Sequence, residues 1–585
     1  MSVAESSLKQ NTDFLKTTFG KSIFPSMLAI LSVNINVFVD GILVSNKLGS
    51  NALAAINLSL PLYLTLCIIG SFFASGTAIN AARAIGDNDP EKSQMYYRTC
   101  VVVLFFSSII VTILGLIFNK QIVSFLCSDE NIRSYVSQYV IITLIGALPK
   151  IMLYIPFWYL RLDGKNSEVA IIMAVMSIGN IILDVFFVYF LNMGVFGAGL
   201  ASVIATTAAF LLGMIWLFGK RSFFKFKPFV LKGWVEWKVI SSAGIPSALN
   251  NLLSTLRLLI INHVLLNFGG GSEVAIFTAV NGISGFAECI ILGIPQAASP
   301  MLGVFSGEQD NGSCKLLIKI QLIVGAICSA SFIALSLGLS EPIRLIYGLN
   351  TSLFMPLLWL ALSVFPALVC TVISGYYNMA GKDFWANGLI FLRVIVMTYI
   401  GLLLATKLNT STYMFLLFAE MATLLIWFIF SEIYYSKHKK LSRFLFMDNS
   451  LEERGNILNF SVGSDAEDIC SASEKISSFC ENNGMDAKTT MRVQLAMEEI
   501  MTLIVHINGE NAAKNLSFDL RAYSLDGITG IRLRYGGIEF NPFKSENDDD
   551  DMLYMGITML KKMVRSFYQR TFGVNTLQVT LRKIK

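Results

Sequence analysis

The sequence predicts an all-α polytopic membrane protein, with twelve transmembrane helices in two six-helix bundles, followed by a small cytoplasmic α+β sandwich domain. Three observations carry this. Of 585 residues, 54% are hydrophobic and only 15% charged, with mean hydropathy +0.62, more apolar surface than one soluble core can bury. Runs such as Cys100 to Phe118 and Val195 to Phe218 hold no charge and reach the roughly 20 residues of a helical span. The membrane part also repeats itself, and after Arg443 the apolar runs stop. Barrel strands would be about half as long and would alternate.

The chain starts with Lys9 and Lys16 ahead of the first span and no small-residue cleavage site, so an uncleaved start is expected. From Phe24 to Val39 there is no charge, and then comes Asp40. A carboxylate near the centre of a membrane helix costs roughly 2.5 to 3.5 kcal/mol on insertion scales, so it marks an ion or substrate path or else sits hydrated at an interface. Asn34 and Asn36 are candidates for lining the same wet cavity. Twelve spans are read, centred near Ile35, Ile68, Ser108, Ala147, Ile178, Thr206, Thr255, Gly285, Ala326, Ala367, Val396 and Leu424. Basic residues concentrate after the even spans (Arg83, Lys92 and Arg98; Arg161 and Lys165; Lys220, Arg221, Lys225 and Lys227; Lys315; Lys382; Lys437 to Arg443). The positive-inside rule then puts both termini in the cytoplasm of a plasma (inner) membrane protein. The nine cysteines show no ligand spacing and imply neither zinc nor a disulfide framework.

Ala54 matches Ala275, Gly86 matches Gly307 and Asp89 matches Asp310 at a shift of 221, while Pro149, Gly164 and Lys165 match Pro366, Gly381 and Lys382 at 217. Two parallel bundles are expected, residues 1–219 and 240–436, joined by a linker at 220–239. Such repeats suit a transporter whose halves rock about a central cavity, though shared packing alone would also keep them. The carboxylates break the symmetry. Asn180 and Asp184 lie four residues apart on one helical face, yet Asp40, Asn180 and Asp184 map onto Ile261, Met397 and Gly401. An ion site in the first bundle follows. Arg257, His263, Glu288, Arg393 and Glu420 are weaker candidates for a substrate cavity, since single intramembrane charges also snorkel or pair locally.

The stretches FVDGILVSNKLGSNALAAINLSLPL (Phe38 to Leu62), AARAIGDND, AGIPSALNN and GIPQAASPMLGVFSGE, with the Asn180/Asp184 pair, resemble the MATE family of multidrug and toxic compound extrusion transporters over roughly residues 15 to 440. The resemblance implies twelve helices in two bundles and exchange of organic, often cationic, compounds for protons or sodium. It implies a cation site at Asp40, Asn180 and Asp184, with a hydroxyl from Ser202. The acidic pair that another branch carries in the second bundle is not evident here.

A linker at 437–458 leads to the soluble domain, residues 459–585. Asp486 is placed to cap a helix through His506 that turns Val493, Ala496, Met497, Ile500 and Ile504 to one face. Alternation in Leu516 to Tyr523, Ile531 to Tyr535 and Leu577 to Leu581 reads as strands. The order of EEI, GGIEFNPF, MGITMLKKM and FGVNTLQVTL resembles the histidine-kinase-like ATPase fold in its anti-sigma-factor branch. The resemblance implies a nucleotide site at Glu499, Leu503, Tyr535, Gly537 and Gly556. The family's magnesium asparagine is Leu503 here, its adenine-reading aspartate is Tyr535 and a phosphate-loop glycine is Tyr554. A degenerate site is therefore expected, without ATP chemistry; the acidic run Glu546 to Asp551 reads as a solvated loop. Gly20-Lys21-Ser22 is no P-loop, because the required glycine is Leu15.

The leading expectation is a cation-coupled antiporter, not an enzyme. It has no cofactor beyond a coupling sodium or proton, and its partners are a small organic substrate, membrane lipids and a cytoplasmic regulatory protein for the tail. No nucleic-acid partner is expected. Alternatives are a lipid-linked saccharide flippase of the same superfamily, or a membrane-anchored sensor signalling through the tail.

Overall fold

The structure, a computed structural model, describes the chain except residues 1–2, 49, 88, 128–129, 220–221, 226–236, 347–350, 408–411, 439–440, 449–455, 510–515, 526–527, 545–554, 572–573 and 583–585. Inside helices, the side chains of further stretches, among them 40–42, 44–46 and 266–272, also lie outside the described set. The chain forms two compact units, Ser22–Lys437, and Met1–Lys21 with His438–Lys585.

In the first unit ten described helices are long and apolar enough to cross a membrane. An eleventh span is broken: Ile132–Ile145 and Ala147–Leu162 meet at 55°. Gly146 sits at the break, packed against the Val203 side chain, and Pro149 follows in the next turn, where its missing N–H costs nothing. The expected first span lies in the helix Val3–Leu48, part of which is outside the described side chains. Two further spans are interrupted by π-turns, Val185–Phe190 and Leu392–Met397, a distortion often found where a helix carries function.

The repeat has local physical causes. Asp89 and Asp310 each cap a following helix, accepting from Lys92 N and Ser313 N at 3.0 Å. Gly164 and Gly381 have φ of +78° and +75°, where a side chain would be strained. The matched glycines Gly86 and Gly307 meet each other: a β-carbon on one would lie 2.8 or 2.9 Å from the α-carbon of the other. Beside them Arg83 donates from Nε to Met379 O at 2.7 Å and from Nη2 to Asn378 O, with Asp383 at 3.6 Å, so this end joins the bundles. Gly307→Val is expected to destabilise the membrane unit by about 1 to 3 kcal/mol through overpacking, seen as earlier thermal unfolding in detergent.

The second unit holds a five-stranded antiparallel sheet of β1 (Asn456–Val462), β2 (Phe518–Leu525), β3 (Ile528–Tyr535), β4 (Arg565–Thr571) and β5 (Val574–Arg582), in the order β1-β2-β3-β5-β4. The helices Ala466–Asn482 and Ala487–Asn508 share its core, with Val493, Met497, Ile500 and Ile504 among Phe518, Leu520, Leu533 and Leu577. Asp486 caps the second of these helices, accepting from Thr489 N at 3.0 Å. That hydrogen bonding also holds its carboxyl below the usual range. The helix and the three expected strands stand where alternation and capping put them. The strands β1 and β4 and the helix Ala466–Asn482 are additional.

Candidate functional site

The span Asn166–Asp184 ends on a carboxylate that is 0% exposed. Asn180, one turn earlier, donates from Nδ2 to Asp184 Oδ2 at 2.5 Å, the short geometry of a charge-assisted bond. Its Oδ1 accepts from Ser202 Oγ at 3.0 Å and from Asn36 Nδ2 at 3.4 Å. Three helices thus converge on one amide, and Asp184 stands directly before the π-turn. Asn36 Oδ1 is buried without a hydrogen-bond partner. The available atoms are a carboxylate, amide oxygens and a hydroxyl, a set suited to a hard cation rather than a thiophilic metal. Among the described residues no three His, Cys, Asp or Glu side chains cluster. Asp40 is helical, but its side chain lies outside the described residues. In the second bundle Ile261 is buried, and a β-carbon on Gly401 would meet the Phe418 ring at 2.7 Å, which leaves no room for the carboxylate of its counterpart Asp184.

The second bundle has a charged cluster of its own. Arg393, inside the π-turn Leu392–Met397, approaches Glu420 Oε2 with Nε at 2.7 Å and donates from Nη1 to Thr371 Oγ1 at 2.9 Å. Arg257 and Glu288 lie within electrostatic range of this pair. Asn34 bridges the bundles: its Nδ2 donates to Gly285 O at 2.6 Å, beside the Glu288 carboxylate. The structure therefore gathers Asn34, Arg257 and Glu288 of the expected cavity set with Arg393 and Glu420, while Asn36 belongs to the cation site. His263 is exposed, six residues beyond Arg257 and so roughly 240° around the helix.

Two bases were misplaced or missed by sequence reading. Arg161, expected in a basic loop, lies inside the helix Tyr154–Leu162, 1% exposed, donating from Nη1 to Gln296 Oε1 of the other bundle at 2.5 Å and resting 4.1 Å from the Phe157 ring centroid. Its position one turn before the left-handed Gly164 made it look like loop. Lys150 sits just past the 55° bend, half-buried, with Nζ 3.6 Å from the Tyr63 ring centroid. Its charge carries the same insertion cost of roughly 2.5 to 3.5 kcal/mol as a buried acid. With Tyr139, Thr143, Ser202 and Thr206 it lines a narrow cavity with room for about one water.

In the tail, Leu503 and Tyr535 are core residues, and the Tyr535 hydroxyl donates to Phe540 O at 2.6 Å. Gly537 has φ +88° and packs on Asn508. Glu499 accepts from Gly556 N at 3.0 Å and Ile557 N at 2.9 Å, and so caps the helix Met555–Met563. The run 546–551 and Tyr554 lie outside the described residues.

Residues 25–186 match the MatE family model. Multidrug export protein MepA of Staphylococcus haemolyticus is 25% identical over 308 residues, 52% of this chain and 67% of that protein. The FAD transporter of Shewanella oneidensis is 23% identical over 307 residues, 51% of this chain and 68% of the other. Probable multidrug resistance protein YoeA of Bacillus subtilis is 24% identical over 323 residues, 54% of this chain and 69% of the other. Among solved structures, an outward-facing multidrug resistance MATE family transporter of the MOP superfamily is 22% identical with TM-score 0.66, covering 73% of this chain and 97% of its own. A MOP superfamily transporter from Pyrococcus furiosus is similar at TM-score 0.63 and 22% identity, with the same coverage of 73% and 97%. The membrane unit therefore shares the fold of these solved structures, and residues 25–186 carry the MatE family's sequence pattern.

Proposed function

We propose that the protein is a secondary active antiporter of the plasma membrane, with both termini cytoplasmic, that exports organic, often cationic or amphiphilic, compounds in exchange for sodium ions or protons. The observation that carries this reading is the buried Asp184 carboxylate held by Asn180, with Ser202 and Asn36 on the same amide. Asp40 joins the set by its place on the helix Val3–Leu48. A cation held there drives transport by favouring one orientation of the cavity over the other, because a ligand of equal affinity for both shifts nothing. Relatives named for multidrug export support a small organic substrate, and one named for FAD widens its chemistry. Uptake into everted vesicles, with the sodium and proton gradients collapsed separately, tests the reading. Export that survives loss of both gradients overturns it.

The tail is read as a regulatory or partner-binding domain. Its candidate acid Glu499 is engaged as a helix cap, and Leu503 and Tyr535 face the core, an arrangement that supports a nucleotide site without function. The full-length protein is expected to show no ATP hydrolysis above a Glu499→Ala control. Turnover that the substitution removes would restore the enzymatic reading.

A further inference from the structure

We propose that Arg83 is a releasable latch that holds its own end of the two bundles shut, so that breaking its contacts opens the substrate path on that side. The inference rests on the transporter reading, and by the topology proposed there that side is the cytoplasm. The helix Phe354–Met379 ends, like any helix, in carbonyls that lack partners within it. Arg83 of the helix Ser50–Gly86 serves two of them from the other bundle: Nε donates to Met379 O at 2.7 Å, and Nη2 to Asn378 O, which takes Gly381 N only at 3.4 Å. A basic group suits a helix C-terminus, and a planar fork reaches two carbonyls at once. Asn80 aims the fork: its Oδ1 accepts from Nη1 at 3.1 Å, while its Nδ2 donates across to Val239 O at 3.3 Å. Asp383 adds a carboxylate 3.6 Å from Nη2. This joint can open. The Arg83 and Asp383 side chains keep 18% and 12% exposure, so water rehydrates both charges as the bundles part. The joint is also one-sided, because at a shift of 221 the counterpart of Arg83 is the apolar Val304. It guards a path as well. Glu288 is exposed beside Asn34 of the other bundle, but toward the Arg83 end the same helix buries Ile294, Ala297, Ala298, Met301 and Leu302. A β-carbon on Gly303 would lie 2.7 Å from that of Ala82, so the cleft at Glu288 is closed on the latch side.

The test reads both ends of two repeat-related helices, Pro90–Ile117 and Asn311–Gly338. Full-length protein in lipid nanodiscs, its nine cysteines replaced by serine, carries spin labels at Lys92→Cys and Lys315→Cys on the latch end. A second pair, Phe118→Cys and Leu339→Cys, reads the other end; all four positions are exposed. Distances are measured by pulsed electron spin resonance. Arg83→Gln is expected to lengthen the latch-end distance and shorten the other, raising the ratio of opened to closed molecules roughly 5- to 150-fold, the usual range of coupling between sites. Arg83→Lys, with an ammonium in place of the fork, is expected to fall between. Asp383→Asn, which leaves both carbonyl bonds, is expected to shift the ratio least. An arginine needed only for folding would instead broaden both distances together. Unchanged distances in Arg83→Gln, joint broadening, or a larger shift in Asp383→Asn than in Arg83→Gln overturns the latch. If Arg83→Gln does not fold, Arg83→Lys decides: an opened population supports the latch, and a wild-type distribution overturns it. Opening that follows Arg83 in a protein that exports nothing in energised vesicles would support the latch and count against the antiporter reading.

Discussion

Asp184→Asn is expected to abolish cation-driven export while the protein still inserts and folds. The substitution keeps the shape of a side chain that is 0% exposed, and it removes one charge. Asn180 Nδ2 then faces an amide instead of a carboxylate, and a bound cation loses its formal counter-charge. A hydrogen bond to a charged group is worth about 1.5 to 3 kcal/mol net, so cation affinity falls roughly 10- to 150-fold. Since the gradient acts only through differential cation binding, the transport rate falls with it. Asp40→Asn is expected to behave alike. Wild-type export in gradient-energised vesicles carrying either variant would remove these residues from the coupling site.

Glu420→Ala is expected to be the most destabilising single change in the second bundle. Glu420 is 2% exposed and its partner Arg393 is held at 2.7 Å as an ion pair rather than in an aligned hydrogen bond. Without the carboxylate, the guanidinium keeps its bond to Thr371 and the more distant Glu288, which also faces Arg257, but loses its paired charge. Removing one partner of a buried pair costs about 3 to 5 kcal/mol, whereas replacing both with apolar side chains of similar volume is often neutral. The double variant Arg393→Met/Glu420→Leu should therefore recover most of the stability lost by Glu420→Ala. Thermal unfolding in detergent reads both steps. A single variant as stable as the wild type would show that water, not Glu420, balances Arg393.

The features legible in sequence are those with local causes. Asp486 read as a cap because a cap needs only its own next turn, while Asp89 and Asp310 read as repeat partners whose capping the structure adds. Asn180 and Asp184 read as one face because a helix alone sets four-residue spacing. Lys150 escaped notice although it lies three residues from the centre of an expected span, near Ala147, because what it meets, the Tyr63 ring and the Ser202 side of the cavity, comes from other helices. The Arg393–Glu420 pair joins two spans, which no spacing rule foretells. The strands β1 and β4 were unread for a related reason. Both are sheet edges, where one-sided pairing tolerates charges and blurs the two-residue alternation.

The contact of Gly86 with Gly307 makes the junction between the bundles isologous in kind, the same surface element presented from both sides, as in a two-fold homodimer. In a half-length chain pairing with a copy of itself, every substitution would strike both sides of that junction at once. Fusion into one chain frees the halves to diverge wherever the junction does not need both. The helix caps Asp89 and Asp310 and the left-handed Gly164 and Gly381 stay doubled because each half requires its own. The carboxylate at Asp184 is carried once, opposite a glycine packed under Phe418, and the buried pair Arg393–Glu420 sits in the other half alone. A symmetric frame has thereby become a polar one, with different chemistry on either side of its own axis.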